Sequence, residues 1–366
     1  MRLSGRREPA NDPYDGPMRV AVVGATGAVG RTILSLLDER AFPLDDLLLF
    51  ASSRSEGKRI GFRGEDLTVR AVHDRWFEGV DLALTSAGSV VAKQFLPPAA
   101  AAGTVSVDNS SAFRMDPGVP LVVPEINPEA LRHHTGIVAN GNCTAIIALM
   151  PLGPLHKRFG LSFLITSSYQ SVSGSGMKGV RELAEQVEKL HDQVESLTRP
   201  DQHALPVGEV FGRTIAFNVI PHAETFDSAG SGSTTEELKM GNEVRKVLGI
   251  PDLPVSATAV RVPVVAGHGV SIYARFEKRV TPEAARETLA EAAGIRVVDE
   301  PRRDLYPTPL ESAGIDDVLV GRVRQPGGDG HALLLFAAGD NLRKGAALNA
   351  VQIAELIGRE GLLRSR

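Results

Sequence analysis

The chain has 366 residues, with 40 Lys and Arg against 44 Asp and Glu, a formal charge of -4, and 43% hydrophobic and 23% charged residues. At roughly 100–200 residues per domain, this length suggests two or three folded domains. The near-neutral charge argues against a nucleic-acid binder, and a single Cys excludes a disulfide scaffold. No apolar run reaches the roughly 18–20 residues that span a bilayer, and the charged N-terminus has no apolar core behind it, so a cytoplasmic protein with no membrane partner is expected.

Residues 1–17 are polar and non-periodic and read as a disordered tail, or as text preceding a start at Met18. From there apolar runs alternate with helical spacing. Residues 19–23 (RVAVV) form a strand running into Gly24, 31–40 a helix, and 47–50, 81–85, 105–107 and 136–139 further strands. That alternation predicts a mostly parallel, covered sheet. After about residue 145 the pattern changes. Residues 161–169 read as a strand followed by a Gly/Ser turn. Residues 177–197 read as one amphipathic helix, with Val180, Leu183, Val187, Leu190, Val194 and Leu197 at heptad spacing, packed on a sheet or a subunit interface. Residues 259–265 and 270–276 read as strands separated by a Gly-rich turn and compatible with an antiparallel sheet. Residues 228–233 are a flexible connection, 331–338 a buried strand and 344–358 a closing helix, with no internal repeat.

The segment Gly24-Ala25-Thr26-Gly27-Ala28-Val29-Gly30 follows a strand and opens a helix. Glycines there permit a tight turn and close backbone approach, and a helix N-terminus offers N–H groups to a pyrophosphate. The second strand ends in Ala51-Ser52-Ser53-Arg54-Ser55. It has no carboxylate for a ribose hydroxyl but an Arg among hydroxyls, which suits a 2′-phosphate and points to NADP.

Cys143 sits at a strand-turn-helix corner, where a helix N-terminus lowers a thiol pKa and can stabilise an oxyanion. A cysteine nucleophile needs a base. Of nine His, His133 and His134 look like surface residues, and His156, His191 and His203 lie in polar text. His268, between glycines on the turn joining two apolar strands, fits the edge of a cleft. No metal-ligand spacing appears.

These motifs (VAVVGATGAVG, FASSRS, DNSSAFR, LVVPEIN, GNCT, SYQSVSGSG, EELKM, RVPVVAGH and DNLRKGAALNAVQIAE) run from residue 18 to about 360. Together they resemble the aspartate-β-semialdehyde dehydrogenase family, of the glyceraldehyde-3-phosphate-dehydrogenase-like fold group. The resemblance implies an α/β fold: an N-terminal Rossmann-type dinucleotide-binding domain (18–145 plus 343–360) and an α+β catalytic and dimerisation domain (146–342) with a mixed, largely antiparallel sheet. It implies NADPH-dependent reduction of L-aspartyl-4-phosphate to L-aspartate-4-semialdehyde with release of phosphate, on the way to lysine, threonine, methionine and diaminopimelate, in a homodimer.

By the same resemblance, Cys143 is the nucleophile, His268 the acid/base and Gln170 the residue that orients the carbonyl. Arg261 grips the α-carboxylate, Glu236 faces the amine, and Arg114 and Lys239 bind phosphate. Thr26 to Val29, within the Gly24–Gly30 turn, hold the pyrophosphate, and Arg54 and Ser55 the 2′-phosphate. Ser173 and Gly174 lie under the nicotinamide ribose, and Asn341 contacts the nicotinamide amide. Ser233-Thr-Thr-Glu236 also reads as a capping box, and Glu236 with Lys239 as an ordinary i,i+3 ion pair. Gly141 replaces the usual Pro before Asn-Cys, Ser171 the usual Ala after the Gln, and Gly269 a small Ser or Ala. Two alternatives remain: an N-acetyl-γ-glutamyl-phosphate reductase and a non-catalytic nucleotide-binding paralogue.

Overall fold

In the computed structural model the described residues are 18–198 and 205–363, so the expected tail (1–17) and His203 lie outside them. The chain forms two compact units, one drawn from Met1–Cys143, Lys246–Gly249 and Leu342–Arg366, the other from Thr144–Arg245 and Ile250–Asn341.

The first unit contains β1 (Arg19–Val23), β2 (Asp46–Ala51), β3 (Arg59–Phe62), β4 (Glu65–Ala71), β5 (Leu82–Thr85), β6 (Val105–Asp108), β7 (Leu121–Val122) and β8 (Ile137–Asn140). They form one sheet in the order β3-β4-β2-β1-β5-β6-β8-β7. Every pairing is parallel except the β3–β4 hairpin. Strands β5, β6 and β8 are buried throughout, which is why they are mostly apolar; Thr85, Ser106, Asp108 and Asn140 are their buried polar residues. The hairpin alternates exposed residues with partly buried ones and with buried Phe62 and Val69, and its polar text gave no strand signal. Helix α1 (Ala28–Glu39) starts three residues earlier than the spacing suggested, and α2 (Ser89–Ala101) links β5 to β6. The strand order turns back at β1, which lies between β2 and β5; in open α/β sheets such switch points form the crevice that takes ligands.

The closing helix is two elements: a π-helical turn at Arg343–Ala347 and a helix at Leu348–Arg359. Val351, Ile353, Ala354 and Ile357 join the core of the first unit. Ion pairs Arg40–Glu355 and Arg343–Glu39, both at 2.7 Å, tie this segment to α1 and its C-terminal cap.

The second unit follows from α3 (Cys143–Phe159) through β9 (Leu161–Gln170), α4 (Gly176–Leu190) and α5 (Thr235–Leu248) to β10 (Val255–Arg261) and β11 (His268–Phe276). Helix α6 (Pro282–Ala290), β12 (Ile295–Val297), α7 (Pro309–Ser312), β13 (Val318–Arg324) and β14 (Ala332–Gly339) complete it. The sheet runs β10-β9-β11-β14-β13-β12. The β9–β10 and β12–β13 pairs are parallel and the others antiparallel. The expected pair of strands around the Gly-rich turn is corrected here: β10 ends at Arg261, and β9 lies between it and β11.

The expected helix over 177–197 is also corrected. Helix α4 ends at Leu190 and is followed by a 3-10 turn (His191–Thr198) kinked at Gln193. Val187 and Val194 are exposed. Two polar side chains take places in the buried stripe, because Glu182 accepts the main-chain N–H of Val210 and Phe211, and Gln186 that of Ile215 and Ala216. Among the described residues no helix is long and apolar enough to cross a membrane.

Candidate functional site

The phosphate-type loop begins where β1 ends. The N–H groups of Gly24 and Ala25 donate to the Phe50 carbonyl at 2.8 and 3.0 Å, which fixes the turn against β2. Gly24 has φ +92°, and a Cβ there would lie 2.4 Å from the Ser86 carbonyl oxygen; a Cβ at Gly30 would lie 2.2 Å from that of Gly24. Both glycines are thus demanded by the fold itself. Gly27 differs. It is the exposed N-cap of α1, with no side-chain cap and no acidic residue in the first turn. A Cβ there would meet only the Gly24 carbonyl oxygen, at 3.4 Å. An uncapped helix start behind an open glycine fits an anionic group such as a pyrophosphate. Thr26 Oγ1 donates to Ser55 Oγ at 3.3 Å, joining the loop to the end of the second strand, while Arg54 is exposed on the Ser53–Ser55 turn.

Also in the first unit, Cys143 is half-buried and is the first residue of α3. The turn before it starts from Asn140, a fully buried side chain. Asn140 Nδ2 donates to Asn109 Oδ1 at 2.6 Å and to the Ala346 carbonyl at 2.9 Å, and its Oδ1 accepts from Asn349 Nδ2 at 2.6 Å. Arg114, 7% exposed, donates from Nε to the Asn140 carbonyl and from Nη2 to the Asn109 carbonyl, each at 2.8 Å. Lys344, buried, pairs with Glu125 at 2.5 Å and donates to Asn349 Oδ1 at 2.9 Å. This network was not foreseen; the signal available was the density of Asn in DNSS, ANGN and ALNA.

The second unit gathers its candidate residues by strand direction. Strands β9 and β10 run parallel and end side by side, so Gln170 pairs with Arg261. Strand β11 runs the other way and starts at His268, opposite Gly339 at the end of β14, two residues before Asn341. Gln170, Arg261, His268 and Asn341 therefore meet at one end of the sheet, all at most 7% exposed. His268 is the first residue of a strand and fully buried, not held on an open turn as the flanking glycines suggested.

Gln170 Nε2 donates to Glu236 Oε1 at 3.1 Å and to Ser168 Oγ at 3.2 Å. Glu236 also accepts from Thr144 Oγ1 at 3.4 Å and lies 3.7 Å from Lys239 Nζ. The capping box at this helix start is Thr234 with Glu237, one residue beyond the expected pair, as the Thr234 N–H donates to Glu237 Oε2 at 2.7 Å and the Glu237 N–H to Thr234 Oγ1 at 3.3 Å. Glu236 is thereby left facing inward at 6% exposure. Lys239 is bonded to both oxygens of Glu224 at 2.5 Å. Burial would raise the Glu224 pKa, but bonds from Lys239 and Thr235 outweigh it and hold the carboxyl below the usual range. No motif marked Glu224 in the sequence.

Arg261 Nη1 donates to the Ser171 carbonyl at 2.8 Å, and its guanidinium lies 5.9 Å from the centre of the Phe211 ring. Burial, then the charge of Arg261, pushes the His268 pKa down to about 3. Its Nε2 is buried with no hydrogen-bond partner among the described residues. A Cβ at Gly174 would lie 3.0 Å from Arg261 Nη1 and 3.4 Å from His268 Nε2. Glycine at that position leaves room beside a cation and an unpaired ring nitrogen, as a bound ligand requires. Ser173 and Asn341 are bonded to each other through Oγ and Nδ2 at 3.1 Å.

Two family models match the chain: "Semialdehyde dehydrogenase, NAD binding domain" over residues 19–134 and "Semialdehyde dehydrogenase, dimerisation domain" over 152–344. The aspartate-semialdehyde dehydrogenase of Mycolicibacterium smegmatis is 48% identical, covering 94% of this chain and 99% of its own, and that of Aquifex aeolicus is 45% identical with the same coverage. Among solved structures, aspartate semialdehyde dehydrogenase II of Vibrio cholerae, complexed with ASA, superposes with a TM-score of 0.87 at 40% identity over 94% of this chain and 99% of that one. The Candida albicans enzyme, solved with NADP, shares the fold with a TM-score of 0.72 at 24% identity over 95% of this chain and all of that one. The chain belongs to the aspartate-semialdehyde dehydrogenase family.

Proposed function

We propose that the protein catalyses the NADPH-dependent reductive dephosphorylation of L-aspartyl-4-phosphate to L-aspartate-4-semialdehyde, releasing phosphate, in the cytoplasmic biosynthesis of lysine, threonine, methionine and diaminopimelate. Its relatives carry the name of that activity. The observation that carries the reading to this chain is the meeting of Gln170, Arg261, His268 and Asn341 at one end of the sheet, with Glu236 and Lys239 bonded beside Gln170.

Cys143 attacks the acyl phosphate from the N-terminus of α3, which favours a thiolate and an adjacent oxyanion. Phosphate leaves and a thioester forms on the sulfur. NADPH, when bound, supplies the hydride for its reduction. The hemithioacetal on Cys143 collapses to aldehyde and thiolate, with His268 serving the oxygen as acid/base and Gln170 orienting it. Arg261 forks onto the α-carboxylate, and Glu236 takes the ammonium group. Arg114 and Lys239 take the phosphate, Lys239 exchanging part of its hold on Glu224 for it.

The turn Gly24–Gly30, with Thr26, Gly27, Ala28 and Val29, holds the pyrophosphate, and Arg54 and Ser55 the 2′-phosphate. Ser173, Gly174 and Asn341 hold the nicotinamide end. The protein works as a homodimer formed on the sheet of the second unit. The dimerisation-domain match supports this, as do Ile165 and Tyr169 on one side of β9, 41% and 38% exposed.

The test is NADPH formation at 340 nm from L-aspartate semialdehyde, phosphate and NADP, with wild type beside Cys143→Ala. Turnover by the wild type alone is expected. A wild type inert here but active on N-acetylglutamate semialdehyde, or a Cys143→Ala variant that still turns over, would sink the reading.

A further inference from the structure

Ser171 follows Gln170 at the end of β9 and is fully buried. Its main-chain N–H donates to His268 Nδ1 at 3.1 Å. A main-chain amide is a fixed donor, so Nδ1 is the accepting nitrogen of the ring, and neutral His268 carries its proton on Nε2. The Ser171 hydroxyl makes a second contact with the same nitrogen, at 3.0 Å. It also lies 3.1 Å from Ser173 Oγ and 3.2 Å from Asn341 Oδ1. Asn341 in turn accepts the N–H of Gly267, the residue before His268, at 3.0 Å. The imidazole is thus gripped on its Nδ1 edge from β9 and at its backbone through Asn341. Nε2, with no hydrogen-bond partner among the described residues, faces the space beside Gly174 and the Arg261 guanidinium.

We propose that Ser171 is a positioning residue for His268. Its amide selects the Nε2–H tautomer, and its hydroxyl, shared between the ring and Asn341, fixes the ring plane so that Nε2–H is presented to the reacting oxygen. This rests on the role given to His268 above. Ser171→Ala, which puts a hydrogen in place of the hydroxyl, would leave the amide bond but free the ring to rock about its Cβ–Cγ bond.

The test combines 15N-histidine NMR of the full chain, with His268 assigned through His268→Asn, and steady-state kinetics. The wild type should show a protonated Nε2 and an unprotonated Nδ1. Ser171→Ala should lower kcat about three- to tenfold, the size of one net hydrogen bond, with the KM values for semialdehyde and phosphate unchanged, and should broaden or split the His268 signals. Ser171→Thr, which keeps the hydroxyl, should restore sharp signals and most of kcat. A protonated Nδ1 in the wild type overturns the proposal, as does Ser171→Ala with wild-type kcat and unaltered His268 signals. The NMR arm reads the protein without substrate. An inert wild type would therefore refute the proposed reaction while the tautomer assignment is judged on its own.

Discussion

The two units build their candidate sites in different ways. In the first, each site is one strand-to-helix turn: Gly24–Gly30 between β1 and α1, and Asn140–Cys143 between β8 and α3. In the second, no stretch of chain holds a site. Gln170, Arg261 and His268 come from the ends of β9, β10 and β11, and Asn341 follows β14; only strand register puts them together. A turn is set by its own residues, whereas a set of strand ends is as stable as the sheet that aligns it. Damage to the first kind should be all-or-none at a few backbone positions. Damage to the second should depend on conditions that strain the whole sheet.

The largest effect expected from that contrast lies within a single turn. Gly30→Ala puts a Cβ 2.2 Å from the Gly24 carbonyl oxygen and 2.9 Å from Ala25 Cα, both backbone atoms that cannot swing aside. It should cost more than about 4 kcal/mol and leave the first unit unfolded or nearly so. Gly27→Ala, three residues away, meets one atom at 3.4 Å with φ at -75°. It should stay within about 1 kcal/mol of wild type in urea unfolding while weakening NADP binding. Equal urea midpoints for the two variants would show that the fold does not depend on the turn as described.

The second unit should respond to pH. His268 titrates near 6.5 in an unfolded chain and is held at about 3 in the folded one, by burial first and Arg261 second. Between those values the unfolded state binds the extra proton. The stability from keeping the ring neutral is therefore complete above about pH 6.5 and falls steadily as the pH drops towards 3, by an amount on the order of 5 kcal/mol. His268→Asn should flatten the stability profile across that window, measured as urea midpoints at successive pH values. Glu224 has the opposite ionic form and a lower window: its carboxyl is held below 4.5, so Glu224→Gln should lower stability by a constant amount above about pH 4.5 and approach the wild type as the pH falls beneath it. An unflattened profile in His268→Asn would mean that the ring is hydrated in the folded protein.

What the sequence revealed follows the same division. The glycine turn and the Cys143 corner were legible because turn chemistry and helix starts are written in consecutive residues. Strands β1, β2, β5, β6 and β8 of the first unit were legible because burial keeps them mostly apolar, whereas the half-exposed β3–β4 hairpin and the two-residue β7 were not. In the second unit the strand around Ala259 was visible, but its neighbour was not: the partner of β10 is β9, about ninety positions earlier, and no local pattern encodes that choice. The overlong helix came from counting only apolar residues, when Glu182 and Gln186 hold the buried stripe by accepting main-chain N–H groups. Glu224 stayed unread because its role depends on Lys239, fifteen residues on and in reach only once α5 has formed.

Arg54 gives the smallest effect and the sharpest test of the local kind of site. It is exposed on a short 3-10 turn, while Ser55 beside it is buried and bonded to Thr26. An exposed guanidinium on a phosphate is a charge-assisted contact weakened by solvent and salt. Arg54→Ala should raise the KM for NADPH about tenfold and leave that for NADH unchanged, without moving the melting temperature. Added salt should bring the wild type towards the variant, because screening removes the same contact that the substitution removes. If the variant weakens NADH as much as NADPH, the loss lies in the shared parts of the cofactor, and the turn after β2 does not read the 2′-phosphate. If NADPH alone weakens but salt makes no difference, Arg54 acts through a desolvated, bidentate contact, and the turn must close over the phosphate when the cofactor binds.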